Sequence, residues 1–312
     1  MALPTSTLDR WRFALKPASW PKLLVPTLLG HGLGVDATGS LSVSALAWGL
    51  LLTALFVVYV VCLNDFGDWH VDALKRRMFP ETSPKTIPDG VLHPRQLLIA
   101  GLLAGVGAIA VALLAGWLME RPLLAPLMLA SLTTFAAYSL PPIRLNYRGG
   151  GELLEMFGVG LLLPALSSYL QSGELLPPSA PLLIGWTTLA LASAIASGLS
   201  DEESDRAGGK RTVVTMMGNA QARRVVNGAA LLAPLMWLGA AWLVDGGPPR
   251  MIGIFAGAVA LDEWWSLRKR SPAASTNAFT AQAEYKAALH ALIWRSGLAW
   301  AVGLTVAPLL GF

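Results

Sequence analysis

Long apolar runs alternate with short polar connections along the whole chain. A helix needs about 20 predominantly apolar residues to span a bilayer. By that measure the pattern predicts nine helices, at about 20–36, 43–63, 97–118, 122–140, 153–171, 181–200, 226–244, 251–266 and 288–310. The first and eighth runs are the weakest, so eight helices fit the pattern as well. Pro26 and Pro164 interrupt two runs, which membrane helices tolerate when neighbours satisfy the freed backbone groups.

Composition supports this reading. Of 312 residues, 54% are hydrophobic and 13% charged, about half the charged share of a soluble domain. The expected fold is therefore an all-α, polytopic membrane helix bundle in a lipid bilayer. The single cysteine, Cys62, excludes a disulfide scaffold and any multi-thiolate metal site. A net charge of +4 is too small to argue for nucleic acid, and the basic residues form no stripe for it.

The cations instead follow topology. Arg10, Arg12, Lys16 and Lys22 lie at the N-terminus, and Lys75, Arg76, Arg77, Lys85 and Arg95 between the second and third runs. Arg144 and Arg148, then Arg206, Lys210, Arg211, Arg223 and Arg224, then Arg268, Lys269, Arg270, Lys286 and Arg295 follow on the same side. Only Arg121 and Arg250 fall opposite. The positive-inside rule then makes the N-terminus and the polar loops cytoplasmic, at the inner membrane if the cell is bacterial. Met1–Lys16 has no apolar core, so it is not expected to be a cleavable signal.

Two acidic clusters follow the second and sixth runs. Asn64, Asp68 and Asp72 are spaced four apart, and so are Asp201 and Asp205, so each set lines one helical face. Like charges at that spacing destabilise a helix, and acids at a helix C-terminus oppose its dipole. A divalent cation or a dense Arg/Lys set is needed to offset them. Oxygen ligands without Cys or clustered His favour Mg2+, which binds through one or two carboxylates plus substrate phosphates. The expected ligand is a phosphorylated substrate held between the clusters. A transporter would instead carry ionisable groups near mid-membrane. Gly90…Arg95 and Gly218…Arg223 echo each other after the two clusters, a weak sign of two related halves, about 1–140 and 141–312.

These residues resemble the UbiA-type intramembrane prenyltransferase superfamily. Asn64, Asp68 and Asp72 match its Asn-x-x-x-Asp-x-x-x-Asp motif, and Asp201 and Asp205 its Asp-x-x-x-Asp motif. Arg77 stands where the family has an arginine, and Lys85, Ile87-Pro88 and Gly90 resemble its Arg-Pro-Leu…Gly segment. Gly209, Arg211 and Thr212 follow the second motif. Tyr138-Ser139-Leu140-Pro141-Pro142-Ile143-Arg144-Leu145 and Gly151-Glu152 resemble the loop of the chlorophyll- and tocopherol-type branches. Other branches carry Tyr-x-x-x-Lys there, and this chain has Pro142 in place of that lysine.

The resemblance implies one domain over residues 1–312, with nine helices around an apolar cavity capped by the two motifs. It implies Mg2+ on Asn64, Asp68, Asp72, Asp201 and Asp205, and a polyprenyl diphosphate held by Arg77, Lys85, Tyr138, Arg144, Lys210 and Arg211. The implied reaction ionises the diphosphate and transfers the prenyl cation to an aromatic or quinone-precursor acceptor. The alternative is a membrane terpene cyclase acting on farnesyl or geranylgeranyl diphosphate. His70 lies off the aspartate face, and Trp69 or Trp264-Trp265 offer π faces for a carbocation. Glu152 and Glu155 are expected to pair with Arg144 or Arg148, or to act in catalysis.

Overall fold

The computed structural model describes residues 3–243 and 250–311, and among them there is helix and no strand. The helices are α1 (Thr7–Leu15), α2 (Pro21–Thr38), α3 (Val43–Met78), α4 (Pro94–Leu118), α5 (Leu124–Ser139), α6 (Gly151–Phe157) and α7 (Leu163–Ser172). They continue as α8 (Leu182–Ser197), α9 (Glu202–Ala207), α10 (Val213–Met217), α11 (Asn219–Leu243), α12 (Arg250–Arg270) and α13 (Phe279–Leu309). A helix overlaps each of the nine expected runs, though the sixth run extends past the end of α8; residue 244 of the seventh lies outside the described residues. Among the described residues five helical stretches are long and apolar enough to cross a membrane: α3, α4, α6 with α7, α11 and α13. The helices α5 and α8 are apolar but shorter.

The largest departure from the apolar pattern is α3. Its 36 residues extend about 54 Å at 1.5 Å per residue, well beyond a hydrocarbon core of about 30 Å. The Ser42 hydroxyl caps its start, and Lys75, Arg76 and Arg77 fill its last turn, where cations suit the dipole. Asn64, Asp68 and Asp72 therefore lie inside a continuing helix, not at its end. The second cluster departs too. The chain leaves α8 at Ser197, and Asp201 stands at the start of the separate helix α9. The Asp205 amide donates to the Asp201 carbonyl at 2.7 Å, which keeps the two side chains one turn apart. The repulsion between like charges remains, but opposition from a helix C-terminus does not apply to either cluster.

Between α6 and α7 the helix widens into a π-type turn at Gly158–Leu162. Pro164 explains it, because its ring lacks an N–H and crowds the carbonyl four residues earlier. Where α2 crosses this rod, the two backbones nearly touch. A Cβ placed on Gly30 would lie 2.2 Å from the Pro164 carbonyl oxygen, so only glycine fits there. Close approach through small residues replaces hydrophobic drive as the source of helix association in lipid.

Among the described residues two large apolar cores result, beside a smaller one around Cys62 and Leu97. One joins α2, α8, α11, α12 and α13 around Trp186, Trp237 and Trp300; the other joins α3, α4, α5 and α7 around Leu52, Leu63 and Met128. Gly90 and Gly218 both adopt positive φ, 69° and 81°, shortly before α4 and α11. L side chains rarely adopt such angles. The space between the two cores is the cavity described next.

Candidate active site

A cavity of about 320 Å³ opens between α2, α3, α5, α6 and α8, near the small end of ligand pockets. One face of α3 supplies both of its characters. Phe56 and Val60, then Asn64 and Asp68, follow at four-residue intervals and all line it, as a single helical stripe requires. Val57, Phe135 and Val159 extend the apolar wall. Asp65, Asp201, Asp205, Lys210, Asn146 and Glu152 surround the polar mouth.

Lysines neutralise the acids in reciprocal fashion. Lys210, after the second motif, places Nζ 2.8 Å from Asp68 Oδ2 and 3.6 Å from Asp205 Oδ1. Lys75, at the end of α3, donates to Asp201 Oδ1 at 2.5 Å and to the Ser200 carbonyl at 2.8 Å. Lys85 pairs with Asp72 at 2.7 Å, and Lys16 with Asp65, which also accepts from Thr86 at 2.6 Å. The Asn146 amide donates to Asp68 Oδ1 at 3.3 Å.

Burial pushes the Asp205 carboxyl up to about 7; Lys210 opposes this, while Asp201 and Asp68 add to it. Burial also acts on Asp201, but the charges of Lys85 and Lys75, with the Lys75 hydrogen bond, outweigh it and hold that carboxyl below its usual range. For Lys210 and Lys85 burial favours the neutral amine, yet the facing carboxylates prevail and hold both ammonium groups above the usual lysine range. The mouth is therefore a dense field of opposed charges under limited solvent.

The expected site residues divide into four sets. Asn64, Asp68, Asp201, Asp205, Tyr138 and Lys210 line the one cavity. Asp72 and Lys85 form their own pair beside it. Arg77 and Arg144 border a separate open groove with Trp69, His70, Tyr147 and Gly208. Arg144 donates to the Gly67 carbonyl, and its guanidinium lies 3.5 Å from the Tyr147 ring centroid. Arg211 is exposed and borders neither space.

Several lesser expectations change. Glu152 accepts from the Val213 amide at 2.7 Å, and Glu155 pairs with Lys22 at 2.5 Å, so neither meets Arg144 or Arg148. Trp69 packs against His70 with the rings tilted by 32° in the outer groove, and Trp264 donates to the Asn227 carbonyl, so none of Trp69, Trp264 and Trp265 faces the cavity. Lys75 was readable as only a topology-setting cation. Its position three residues after Asp72 puts it on the aspartate face, and that spacing was the available signal.

The mouth suits Mg2+ better than a metal caged by protein alone. Among the described residues no group of three His, Cys, Asp or Glu side chains is gathered tightly enough to hold an ion. One or two carboxylates completed by phosphate and water are the usual Mg2+ set, and Asp68, Asp201 and Asp205 border one space.

Comparison with known proteins agrees with this arrangement. The profile of the UbiA prenyltransferase family matches residues 23–309. The chain is 30% identical over 233 residues to a lycopene elongase/hydratase of Halobacterium salinarum, covering 72% of this chain and 77% of that protein. It is 27% identical over 273 residues to a lycopene elongase/hydratase of Haloarcula japonica, covering 84% and 87%. The fold is similar to that of a UbiA homologue from Archaeoglobus fulgidus bound to DMAPP and Mg2+, with TM-score 0.67 at 17% identity, covering 92% and 99% of the two chains. With two aspartate motifs closing one end of an apolar cavity among membrane-length helices, the chain is an integral membrane protein and belongs to the UbiA prenyltransferase family.

Proposed function

We propose that this protein is a Mg2+-dependent prenyltransferase, which ionises a polyprenyl diphosphate at the cavity mouth and passes the prenyl cation to an acceptor. The observation that carries this reading is the single α3 stripe. It runs from Phe56 and Val60 to Asn64 and Asp68, placing an apolar wall directly beneath a charged mouth. A polyprenyl diphosphate has the same division.

Asn64, Asp68, Asp201 and Asp205 would hold the metal, with Asp72 one turn farther along α3. Mg2+ supplies positive charge to the diphosphate oxygens as the carbon–oxygen bond breaks. Lys210 and Lys75 add fixed positive charge where the leaving group gains negative charge, the arrangement that lowers such barriers. Tyr138 borders the same space from α5. Val57, Val60, Phe135 and Val159 keep water from the cation. The distribution of cations along the sequence supports a cytoplasmic mouth and a cytoplasmic N-terminus.

The activity of the two relatives, lycopene elongase/hydratase, supports an isoprenoid alkene as acceptor over an aromatic ring. The test supplies purified protein with Mg2+ and geranyl diphosphate, alone and with lycopene or an aromatic quinone precursor. Diphosphate release that depends on Mg2+ and is lost in Asp68→Ala and Asp201→Ala is expected, with a prenylated product only when acceptor is present. Cyclic product from the donor alone identifies a cyclase instead, and full release in excess chelator removes the metal assignment.

A further inference from the structure

Alkylation of an alkene or an aromatic ring leaves a cation on the acceptor, and the reaction ends only when a proton departs or water adds. The geometry points to Glu155 as the catalytic base that takes this proton, an inference that rests on the prenyl-transfer reading. In the step, the C–H bond beside the cationic carbon breaks and its electron pair forms the new C=C bond. The proton passes to a Glu155 carboxylate oxygen, the diphosphate having already left.

The assignment follows from where the cavity's acids are and what each already does. Asp65, Asp68, Asp201 and Asp205 stand at the mouth with lysines against them. Glu152 is occupied by the amide of Val213, the first residue of α10. Glu155 lies on the same helix about 4.5 Å farther along the axis, and it borders the cavity beside Leu154, Gly158 and Val159. It stands one helical turn beyond Glu152, among the apolar lining residues where the acceptor's reacting carbon would sit.

Lys22 on α2 pairs with it, with Nζ 2.5 Å from Oε1, and the Glu155 side chain is 14% exposed. On the far side of this pair a void of about 10 Å³ is lined by Lys22, Glu155, Ser193 and His290. The rest of its lining is apolar, with Pro26, Val159, Trp186 and Ile293, so the pair closes the cavity on that side. A carbocation yields its proton even to a weak base, so position selects the base, and reach is the first requirement for general-base action.

The experiment uses the full-length protein with geranyl diphosphate and Mg2+, without acceptor, in a long incubation. Diphosphate, alcohols from water capture and acyclic hydrocarbons from proton loss are measured together. Wild-type protein should release diphosphate and yield both product classes. In Glu155→Gln, hydrocarbon per diphosphate released should fall at least tenfold while the alcohol share rises. The double variant Lys22→Met with Glu155→Leu should show the same fall. It removes the ion pair as a unit, a change that proteins often tolerate, so a folding defect of the single variant does not decide the outcome. An unchanged ratio in either variant, as expected were the departing diphosphate the base, overturns the role of Glu155. Wild-type protein that releases diphosphate but makes no hydrocarbon overturns it as well. Wild-type protein that releases no diphosphate overturns the prenyl-transfer reading itself.

Discussion

Lys210 Nζ lies 2.8 Å from Asp68 Oδ2 and 3.6 Å from Asp205 Oδ1, so one ammonium group spans the two aspartate motifs. The Lys75–Asp201 pair crosses in the opposite direction. Each motif thus carries the lysine that neutralises the other. An arriving diphosphate with its cation can exchange partners, metal for lysine at the carboxylates and phosphate for carboxylate at the lysines. The charge count at the mouth then changes little.

Replacement of Lys210 by Met should therefore damage both stability and turnover. Loss of one partner from a largely buried pair costs about 3 kcal/mol, and here two carboxylates are left facing each other. The thermal midpoint of the metal-free protein should fall, and Mg2+ should recover part of the loss. Diphosphate release should drop about 100-fold, the usual cost of a donor aimed at developing negative charge. A variant with wild-type turnover would return Lys210 to a purely structural role.

The arginines should rank differently from their order of appearance in the motifs. Arg144 braces the Gly67 carbonyl next to Asp68, whereas Arg77 borders the outer groove and Arg211 is exposed. Arg144→Ala should lower kcat/KM for the donor about tenfold or more and reduce the thermal midpoint. Arg77→Ala and Arg211→Ala should each change kcat/KM less than Arg144→Ala does. Equal effects at all three would mean that the groove closes onto the diphosphate during turnover. The measurement is steady-state diphosphate release.

Much of this arrangement is legible in the sequence, for identifiable reasons. Apolar runs mark the membrane helices, because lipid tolerates little else. Asn64, Asp68 and Asp72 are readable because α3 continues through them with an unbroken period. Asp201 and Asp205 share a face, yet the break after Ser197 is hidden, since the polar residues of Asp201–Asp205 suit a helix end and a helix start alike. Pairings between distant segments leave no local mark. Lys22 and Glu155 are 133 positions apart, and their contact is decided by how α2 crosses the rod of α6 and α7. The small residue Gly30 permits that crossing, but its sequence neighbours do not reveal what it touches.

Gly30→Ala should accordingly be destabilising. Alanine gains about 1 kcal/mol over glycine in helix propensity, but its Cβ would lie 2.2 Å from a backbone oxygen that a rotamer change cannot move. Overpacking of this kind costs about 1–3 kcal/mol, so the clash prevails. Gly228→Ala on α11 is the control, because nothing lies within 4 Å of its Cβ position; its stability should equal or exceed wild type. The two midpoints, measured in the same detergent, check the prediction. A Gly30→Ala protein as stable as Gly228→Ala would contradict the close crossing.

The α3 stripe also predicts how donor length is sensed. Val60 lies two turns, about 12 Å along the axis, from Asp68, and both line the cavity. With its diphosphate at Asp68, a five-carbon chain stays near the mouth, whereas a ten-carbon chain extends toward Val60. Val60→Phe places a larger side chain in that path without touching the charged groups. Turnover of geranyl diphosphate should fall at least tenfold relative to dimethylallyl diphosphate, in line with about 1–3 kcal/mol per methylene at a shaped apolar wall. Phe56→Ala, one turn farther from the mouth, should move the preference toward longer donors. Competition between two donors in one reaction reads the ratio directly and is insensitive to the amount of active protein. An equal loss for both donors in Val60→Phe would mean that the prenyl chain leaves the mouth along another wall, the one formed by Phe135 and Val159.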